Sequence, residues 1–428
     1  MGLGGAFICP KPETGALLTR FEYGLSNGTS ALGEPLRIAY SVENTTSQTI
    51  KATVAGSVSS LEGEVKHSFQ KYVELKAGEQ QVLQFSYQPT QANFYNVFVQ
   101  VRNASGRLAA NSAKMAYAPF EIKTPLTRKK DFEAFWNSTR LQLAEVAPRF
   151  KVIPKPSLDT KAYNVYLIEM QSLDNMTIRG WYRVPTLSGP HPVVLQLPSL
   201  GGSFFNVQTL AEKPRHGVPA DFAVLSLNIR GHGNSKEIID VGENYRHLVS
   251  YRLESRETYL YRGAVADALR ALDFLATRPE IDTRRIVAEG GSQGGALSLI
   301  VAALDSRVKL CAPDVPFLSD IDRLLQYAPW FADEMTRYQK TVPELSLWRV
   351  QYNLSYFDTK NFAEKIKIPI LMSLGLQDQT CPAITGLVTY NYIQAEKQVF
   401  IYPEANHEGG GELHRRRKFA WIREKWGM

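Results

Sequence analysis

The chain has 428 residues and a mass of 48.0 kDa, which suffices for two or three domains. Its composition of 44% hydrophobic, 21% charged and 11% aromatic residues excludes a disordered, collagen-like or coiled-coil protein. The net charge of +7 is spread thinly along the sequence, so we do not expect nucleic acid as a partner.

Three cysteines, Cys9, Cys311 and Cys381, are scattered along the chain, and this odd number favours neither a disulfide framework nor a zinc cluster. No apolar run approaches the roughly 18 residues that a membrane span needs, so we expect no membrane span. Residues 1–10 lack the charged segment of a secretory signal, although a chain that begins after signal cleavage would look the same. The sequence therefore leaves export open.

The first part of the chain has the pattern of a β domain. From about Leu17 to Tyr117, apolar and polar side chains alternate in short bursts such as Leu36–Tyr40 and Val97–Val101, which is typical of half-buried strands. Turn signals such as Asn27-Gly28 separate the bursts. Residues 1–121 are therefore predicted to form an all-β, immunoglobulin-like sandwich without its disulfide.

The pattern changes near residue 122, and residues 122–428 alternate apolar strands with helices. The predicted strands are Pro192–Leu197, Phe222–Asn228, Arg285–Glu289, Val308–Ala312, Ile368–Leu374 and Gln398–Tyr402, and the predicted helices include Gly263–Ala276 and Gly294–Leu304. Such alternation predicts an α/β domain with a doubly wound, mainly parallel sheet. An insertion at about 316–357, rich in Trp and Tyr, is predicted to cap the site and to limit the size of the acyl group.

A nucleophile elbow is predicted at Ser292. A buried strand runs into the glycine-rich turn 290–295, and a helix follows, so the serine would project above the sheet and the next N–H groups would face an oxyanion. The second G-x-S-x-G, at residues 24–28, has no strand before it and no helix after it, and we interpret it as coincidence. A phosphate cradle is disfavoured because the Walker lysine is missing.

The partners of this serine should follow it in the order acid and then base. His407 follows the last predicted strand and is the candidate base, whereas His414 opens a basic helix whose residues 415–418 are interpreted as a solvated face. Asp378 directly follows the preceding strand and is the candidate acid, with Asp314 as the alternative. A zinc motif beginning at His407 fails because position 411 is glycine.

Several ordered motifs between about Phe132 and Trp426 resemble those of carboxylesterase family 7, the acetyl xylan esterases and cephalosporin C deacetylases. The motifs are Tyr259–Arg262 with Asp267–Ala271, Gly290–Gly295, Asp314–Leu318, Gly375–Pro382 and Asn406–Glu408. The resemblance implies an α/β-hydrolase fold, a triad of Ser292, Asp378 and His407, and deacetylation of short-chain esters on sugars.

The same resemblance implies an oxyanion hole formed by backbone N–H groups. Its members would be Gln293, directly after the serine, and Ser199 in an early loop, with Leu200 as the alternative to Ser199. The sequence departs from the family at Arg230-Gly231-His232, where the family carries Arg-Gly-Gln. We interpret Arg230 as structural and His232 as packing rather than catalytic.

The residues and the resemblance together predict a serine esterase that removes acetyl groups from acetylated saccharides such as xylan or xylo-oligosaccharides. Its partner would be the small sugar substrate, and no metal or organic cofactor is expected. Two alternatives stay open: a prolyl-oligopeptidase-like serine peptidase, and a catalytically inactive carbohydrate-binding homologue. Assembly into a homo-oligomer is left open, and the substrate favours a periplasmic or secreted location over a cytoplasmic one.

Overall fold

The computed structural model describes residues 16–25, 28–201, 218–236, 239 and 241–428. The chain divides into two compact units, Met1–Ile122 and Lys123–Met428. The predicted division at 121/122 falls one residue from this point. Residues 26 and 27 of the second G-x-S-x-G lie outside the described residues, as do Cys9 and Gly202.

The first unit contains two sheets that share one hydrophobic core. Its strands are β1 (Leu17–Phe21), β2 (Thr29–Ser30), β3 (Leu36–Asn44), β4 (Ile50–Ser60), β5 (Val65–Leu75), β6 (Gln80–Tyr87), β7 (Asn93–Asn103) and β8 (Gly106–Tyr117). One sheet has the order β1-β3-β6 and the other β2-β8-β7-β4-β5. Tyr40 and Val42 from the first sheet pack with Val54, Val97 and Val99 from the second. The unit is therefore a β-sandwich, and its immunoglobulin-like topology stays a prediction.

The second unit is built on one nine-stranded sheet. Its strands are β9 (Lys151–Pro154), β10 (Tyr163–Gln171), β11 (Thr177–Pro185), β12 (His191–Gln196), β13 (Ala223–Asn228), β14 (Ile281–Gly291), β15 (Leu310–Asp314), β16 (Ile370–Gly375) and β17 (Lys397–Tyr402). The order is β17-β16-β15-β14-β12-β13-β11-β10-β9. The six strands β12 to β17 pair in parallel with their neighbours in this order. Strands β9, β10 and β11 add an antiparallel edge next to β13.

Helices flank this sheet, and several begin directly after its strands. The helices among the described residues are α1 (Phe132–Glu145), α2 (Leu260–Ala276), α3 (Gln293–Leu304), α4 (Ile321–Tyr327), α5 (Pro329–Thr341), α6 (Leu347–Leu354), α7 (Ala383–Tyr392) and α8 (Gly411–Trp426). Phe419, Trp421 and Ile422 of α8 join a core cluster with sheet residues such as Val194 and Val287.

The fold class predicted from the sequence is confirmed, because the second unit is a mainly parallel α/β sheet and the first is all-β. The parallel arrangement places the carboxyl ends of β14, β15, β16 and β17 at one edge of the sheet, where loops carry functional residues in such folds. In the part of the chain that the structure describes, no helix has both the length and the apolar character needed to cross a bilayer.

Candidate active site

Ser292 occupies the sharp turn between β14 and α3. Its backbone has φ 57° and ψ −117°, a conformation that side-chain-bearing residues rarely adopt. Two main-chain hydrogen bonds hold it there, since Ser292 N–H donates to the Asp314 carbonyl at 2.9 Å and the Ser292 carbonyl accepts from Phe317 N–H at 3.0 Å. The turn also needs glycine at 294, where a Cβ atom would lie 2.3 Å from the Leu197 carbonyl oxygen.

The candidate acid and base meet at the carboxyl ends of β16 and β17. Asp378 Oδ2 lies 2.8 Å from His407 Nδ1, and the Asp378 side chain is fully buried whereas His407 is about one-third exposed. Asp378 Oδ1 accepts hydrogen bonds from the backbone N–H groups of Thr380 at 2.7 Å and Cys381 at 2.9 Å. The hydrogen bond between Asp378 Oδ2 and His407 Nδ1 orients the imidazole with its proton on Nδ1, which leaves Nε2 available as a base.

The Ser292 hydroxyl faces the thiol of Cys381. Among the described residues, its side-chain hydrogen bond is to Cys381 Sγ at 3.8 Å, and none joins it to His407. Burial raises the pKa of Cys381 well above its ordinary value, so the thiol is neutral. Hydrogen bonds between nucleophile and base are often long in a free enzyme and tighten when substrate binds. The structure therefore brings Ser292 to the loop of Asp378 and joins Asp378 to His407.

The predicted oxyanion residues lie on either side of this turn. Gln293 is the first residue of α3, so its N–H has no acceptor within the helix. Ser199 Oγ donates to the Gly291 carbonyl at 3.0 Å, and the Gln293 side-chain amide donates to the Pro198 carbonyl at 3.2 Å. These bonds hold the early loop against the elbow. The roles of Gln293 and of Ser199 or Leu200 as donors stay predictions.

The sequence model of the acetyl xylan esterase family matches residues 121–425. The chain belongs to this family. It is a carboxylic ester hydrolase. The acetyl esterase Axe7A of Xylanibacter ruminicola is 27% identical to it over 321 residues, which cover 72% of this chain and 70% of that protein.

Two solved acetyl xylan esterases resemble the chain at 29% identity. That of Paenibacillus sp. R4 has a TM-score of 0.65 and covers 72% of this chain and 98% of its own. That of Thermoanaerobacterium sp. JW/SL YS485 has a TM-score of 0.60 and covers 70% and 96%.

The insertion of this esterase contacts the loop that carries the candidate acid. Its helices are α4, α5 and α6, and Trp330 at the start of α5 donates its indole N–H to the Thr380 carbonyl at 2.9 Å. The same ring packs against Phe317, at a centroid distance of 5.5 Å, and the Arg246 guanidinium lies 5.6 Å from its centroid. The sequence marked Trp330 only as one of several aromatic residues, and its capping role stays a prediction.

Asp314, the alternative acid, has partners other than His407. Lys418 Nζ lies 2.5 Å from Asp314 Oδ2 and 2.9 Å from Glu289 Oε2, and His414 Nε2 lies 3.1 Å from Asp314 Oδ1. Burial would raise the pKa of Asp314, but Lys418 and then His414 outweigh it and lower the pKa to about 2. The carboxylate therefore stays charged, as part of a buried ion cluster.

This cluster corrects the interpretation of residues 415–418 as a solvated helix face. Lys418 is buried, because it turns toward the sheet between two carboxylates of neighbouring strands, β14 and β15. Arg416, by contrast, is exposed and pairs with Glu412 along the same helix. Adjacent basic residues on a helix point in different directions, which a count of charges does not reveal.

His232 does more than pack. Its Nε2 lies 3.0 Å from the side-chain Nε2 of Gln293, and the phenol of Tyr261 donates to Gln293 Oε1 at 2.7 Å. Besides packing, His232 therefore contacts the residue that follows the nucleophile. The signal in the sequence was the departure from Arg-Gly-Gln at this position. A glutamine or a histidine can each place a hydrogen-bond acceptor there.

Proposed function

We propose that this esterase removes acetyl groups from acetylated saccharides, with xylan or xylo-oligosaccharides as the substrate class. The observation that carries the proposal is the strained Ser292 turn near the hydrogen-bonded pair of Asp378 and His407, within a chain of the acetyl xylan esterase family. A serine on such a turn has its hydroxyl exposed to a bound ester, and the paired imidazole can accept its proton.

In the proposed first step, Ser292 Oγ attacks the acetyl carbonyl carbon as its proton passes to His407 Nε2. Asp378 keeps the imidazole oriented and stabilises the cation that forms. The carbonyl oxygen becomes an oxyanion that accepts hydrogen bonds from the N–H groups of Gln293 and Ser199. Each such donor contributes about 2.7–4 kcal/mol in comparable sites.

The tetrahedral intermediate then collapses, and the bond to the sugar oxygen breaks. His407 returns its proton to that oxygen, so the sugar leaves as an alcohol and the acetyl group stays on Ser292. In the second step His407 takes a proton from water, which attacks the acetyl carbon. Acetate leaves, and Ser292 regains its proton.

The test is acetate release from acetylated xylo-oligosaccharides by the native chain and by Ser292→Ala. We expect release by the native chain and a loss of at least about 10³-fold in the variant, because the residual rate comes from binding and the oxyanion hole alone. A second substrate with a peptide amide in place of the ester tests the peptidase alternative. Cleavage of the amide without acetate release would replace this proposal, and release by both proteins would exclude Ser292 as nucleophile.

A further inference from the structure

The side chain of Gln293 is held by three groups, and together they decide its orientation. The Pro198 carbonyl can only accept, so the atom facing it at 3.2 Å is the amide nitrogen. Oε1 then faces Tyr261, whose phenol donates to it at 2.7 Å. The second amide hydrogen points at His232 Nε2, 3.0 Å away. Both N–H groups of the Gln293 amide and its oxygen therefore have hydrogen-bond partners.

This arrangement decides which nitrogen of His232 carries the proton. His232 Nδ1 lies 3.2 Å from the Arg230 carbonyl, which can only accept, so Nδ1 must donate. His232 Nε2 faces an amide N–H, so it must accept. The imidazole is consequently neutral, with its proton on Nδ1 and its lone pair on Nε2. The ring is 2% exposed, and a cation would be costly to place there.

Contacts of Arg230 fix the backbone that precedes His232. The main-chain N–H of Arg230 donates to Asp267 Oδ2 at 2.8 Å, and its guanidinium binds both oxygens of the same buried carboxylate. The guanidinium also packs on Gly263 of α2, where a Cβ atom would lie 2.1 Å from it. The carbonyl that accepts the hydrogen bond from His232 Nδ1 therefore belongs to a rigid segment.

We infer that His232 is a positioning residue of the oxyanion hole, acting through Gln293. Its acceptor nitrogen holds the Gln293 amide in the orientation that also binds the Pro198 carbonyl. Gln293 carries one of the two proposed donor N–H groups. Pro198 directly precedes Ser199, which carries the other. The inference rests on the proposed function, because it assumes that these N–H groups bind an oxyanion.

A proton on His232 Nε2 would break this arrangement. Two donors would then face each other, and rotating the Gln293 amide would instead turn its oxygen toward the Pro198 carbonyl. Burial lowers the pKa of His232, opposed by the hydrogen bond to Arg230 and by the charge of Asp267. The groups facing the ring are thus Arg230, with Asp267 behind it, and the Gln293 amide. The hydrogen bonds are intact at neutral pH and break on the acid side.

The test compares His232→Gln and His232→Leu with the native enzyme, using p-nitrophenyl acetate. Glutamine can donate to the Arg230 carbonyl and accept from Gln293, so we expect kcat within about threefold of native at pH 8. Leucine can do neither, and we expect kcat to fall by about 10-fold or more with little change in KM. This loss is smaller than the fall in kcat of about 10²–10³-fold that follows removal of an oxyanion-hole donor itself. His191→Leu is the control, since His191 is also buried and bonds a carbonyl, that of Leu187.

The pH profile gives a readout that a merely structural role would not move. Protonation of His232 breaks its bond to Gln293 in the native enzyme, so the acid limb of log kcat/KM against pH should be steeper in the native enzyme than in His232→Gln, by up to one unit. Asp358, whose pKa burial raises to about 7, titrates alike in both proteins and cancels in the comparison. Return to pH 8 after each acid measurement must restore full activity.

Each result has a clear meaning. Equal slopes in native enzyme and His232→Gln, or a His232→Leu variant as active as His191→Leu, would overturn the positioning role. If His232→Leu does not fold, the slopes of the native enzyme and His232→Gln still decide the matter. Ser292→Ala is measured beside them, so that near-native activity in that variant marks a failure of the proposed nucleophile and not of the His232 inference.

Discussion

Replacing Lys418 by Met should destabilise the hydrolase unit, because it leaves two carboxylates near the nucleophile turn without their shared cation. Removing one partner of a buried ion pair typically costs about 3–5 kcal/mol. We expect about 3 kcal/mol at pH 8, the low end, because Asp314 is about one-quarter exposed and keeps its hydrogen bond from Ser373. The pKa of Asp314, lowered from 3.8 to about 2, corresponds to roughly 2.4 kcal/mol of net stabilisation of the native carboxylate by all of its partners, which is of the same order.

The pH dependence of this loss has a definite sign. A carboxyl whose pKa is lowered by folding stabilises the native state above its unfolded pKa, and this stability is lost as pH falls toward the folded value. Native Asp314 therefore contributes stability down to about pH 4. Without Lys418, burial raises the pKa of Asp314, and protonation in acid relieves the penalty. The difference between native and variant should be larger at pH 8 than at pH 5.

The assay is a urea titration followed by tryptophan fluorescence at both pH values. All six tryptophans lie beyond residue 122, so the signal reports on the hydrolase unit. Arg416→Met is the matched control, because it removes a cation from the same helix that is exposed and pairs with Glu412. Such a pair contributes only about 0.3–0.5 kcal/mol. A free-energy cost of Lys418→Met no larger than that of this control, or one that grows on acidification, would refute the role of Lys418 as the shared cation.

Three further variants test the site. Asp378→Asn should keep the fold but lower kcat by about 10⁴-fold, because the imidazole loses its orienting charge, and wild-type turnover in steady-state assays would disprove its role. Gly294→Ala should lower the melting temperature and kcat together, since its Cβ atom must displace the Leu197 carbonyl, at an expected cost of about 1–3 kcal/mol. Trp330→Phe keeps the ring but loses the indole N–H, so kcat should fall severalfold, whereas Trp348→Phe, at a 65% exposed position, should not change it.

The sequence predicted the elements that carry the chemistry because their signals are local. A β-strand, a glycine-rich turn and a helix are contiguous around Ser292, and the strands before Asp378 and His407 are short apolar runs. Parallel pairing then brings their carboxyl ends to one edge of the sheet. The fold class and the 2.8 Å contact between Asp378 and His407 both follow from this order.

Other features depend on packing between distant segments, which periodicity does not encode. Strands β10 and β11 pair antiparallel at the edge of a sheet that the sequence predicted as mainly parallel, and neither was among the predicted strands. The burial of Lys418 depends on the direction of one side chain of α8 toward carboxylates more than 100 residues away in the chain. The link from His232 to Gln293 spans 61 residues and rests on one tautomer. Of these three features, only the His232 link had a signal in the sequence, the departure from Arg-Gly-Gln at residues 230–232.

The most direct test of the account is to find the atom that becomes acetylated. The enzyme is mixed with p-nitrophenyl acetate, quenched in acid before the acyl-enzyme hydrolyses, digested, and analysed by mass spectrometry. We predict one acetyl group on the peptide that contains Ser292, absent in Ser292→Ala. An acetyl group on Cys381, whose sulfur lies 3.8 Å from the serine hydroxyl, or release of acetate with no acetylated peptide, would contradict it.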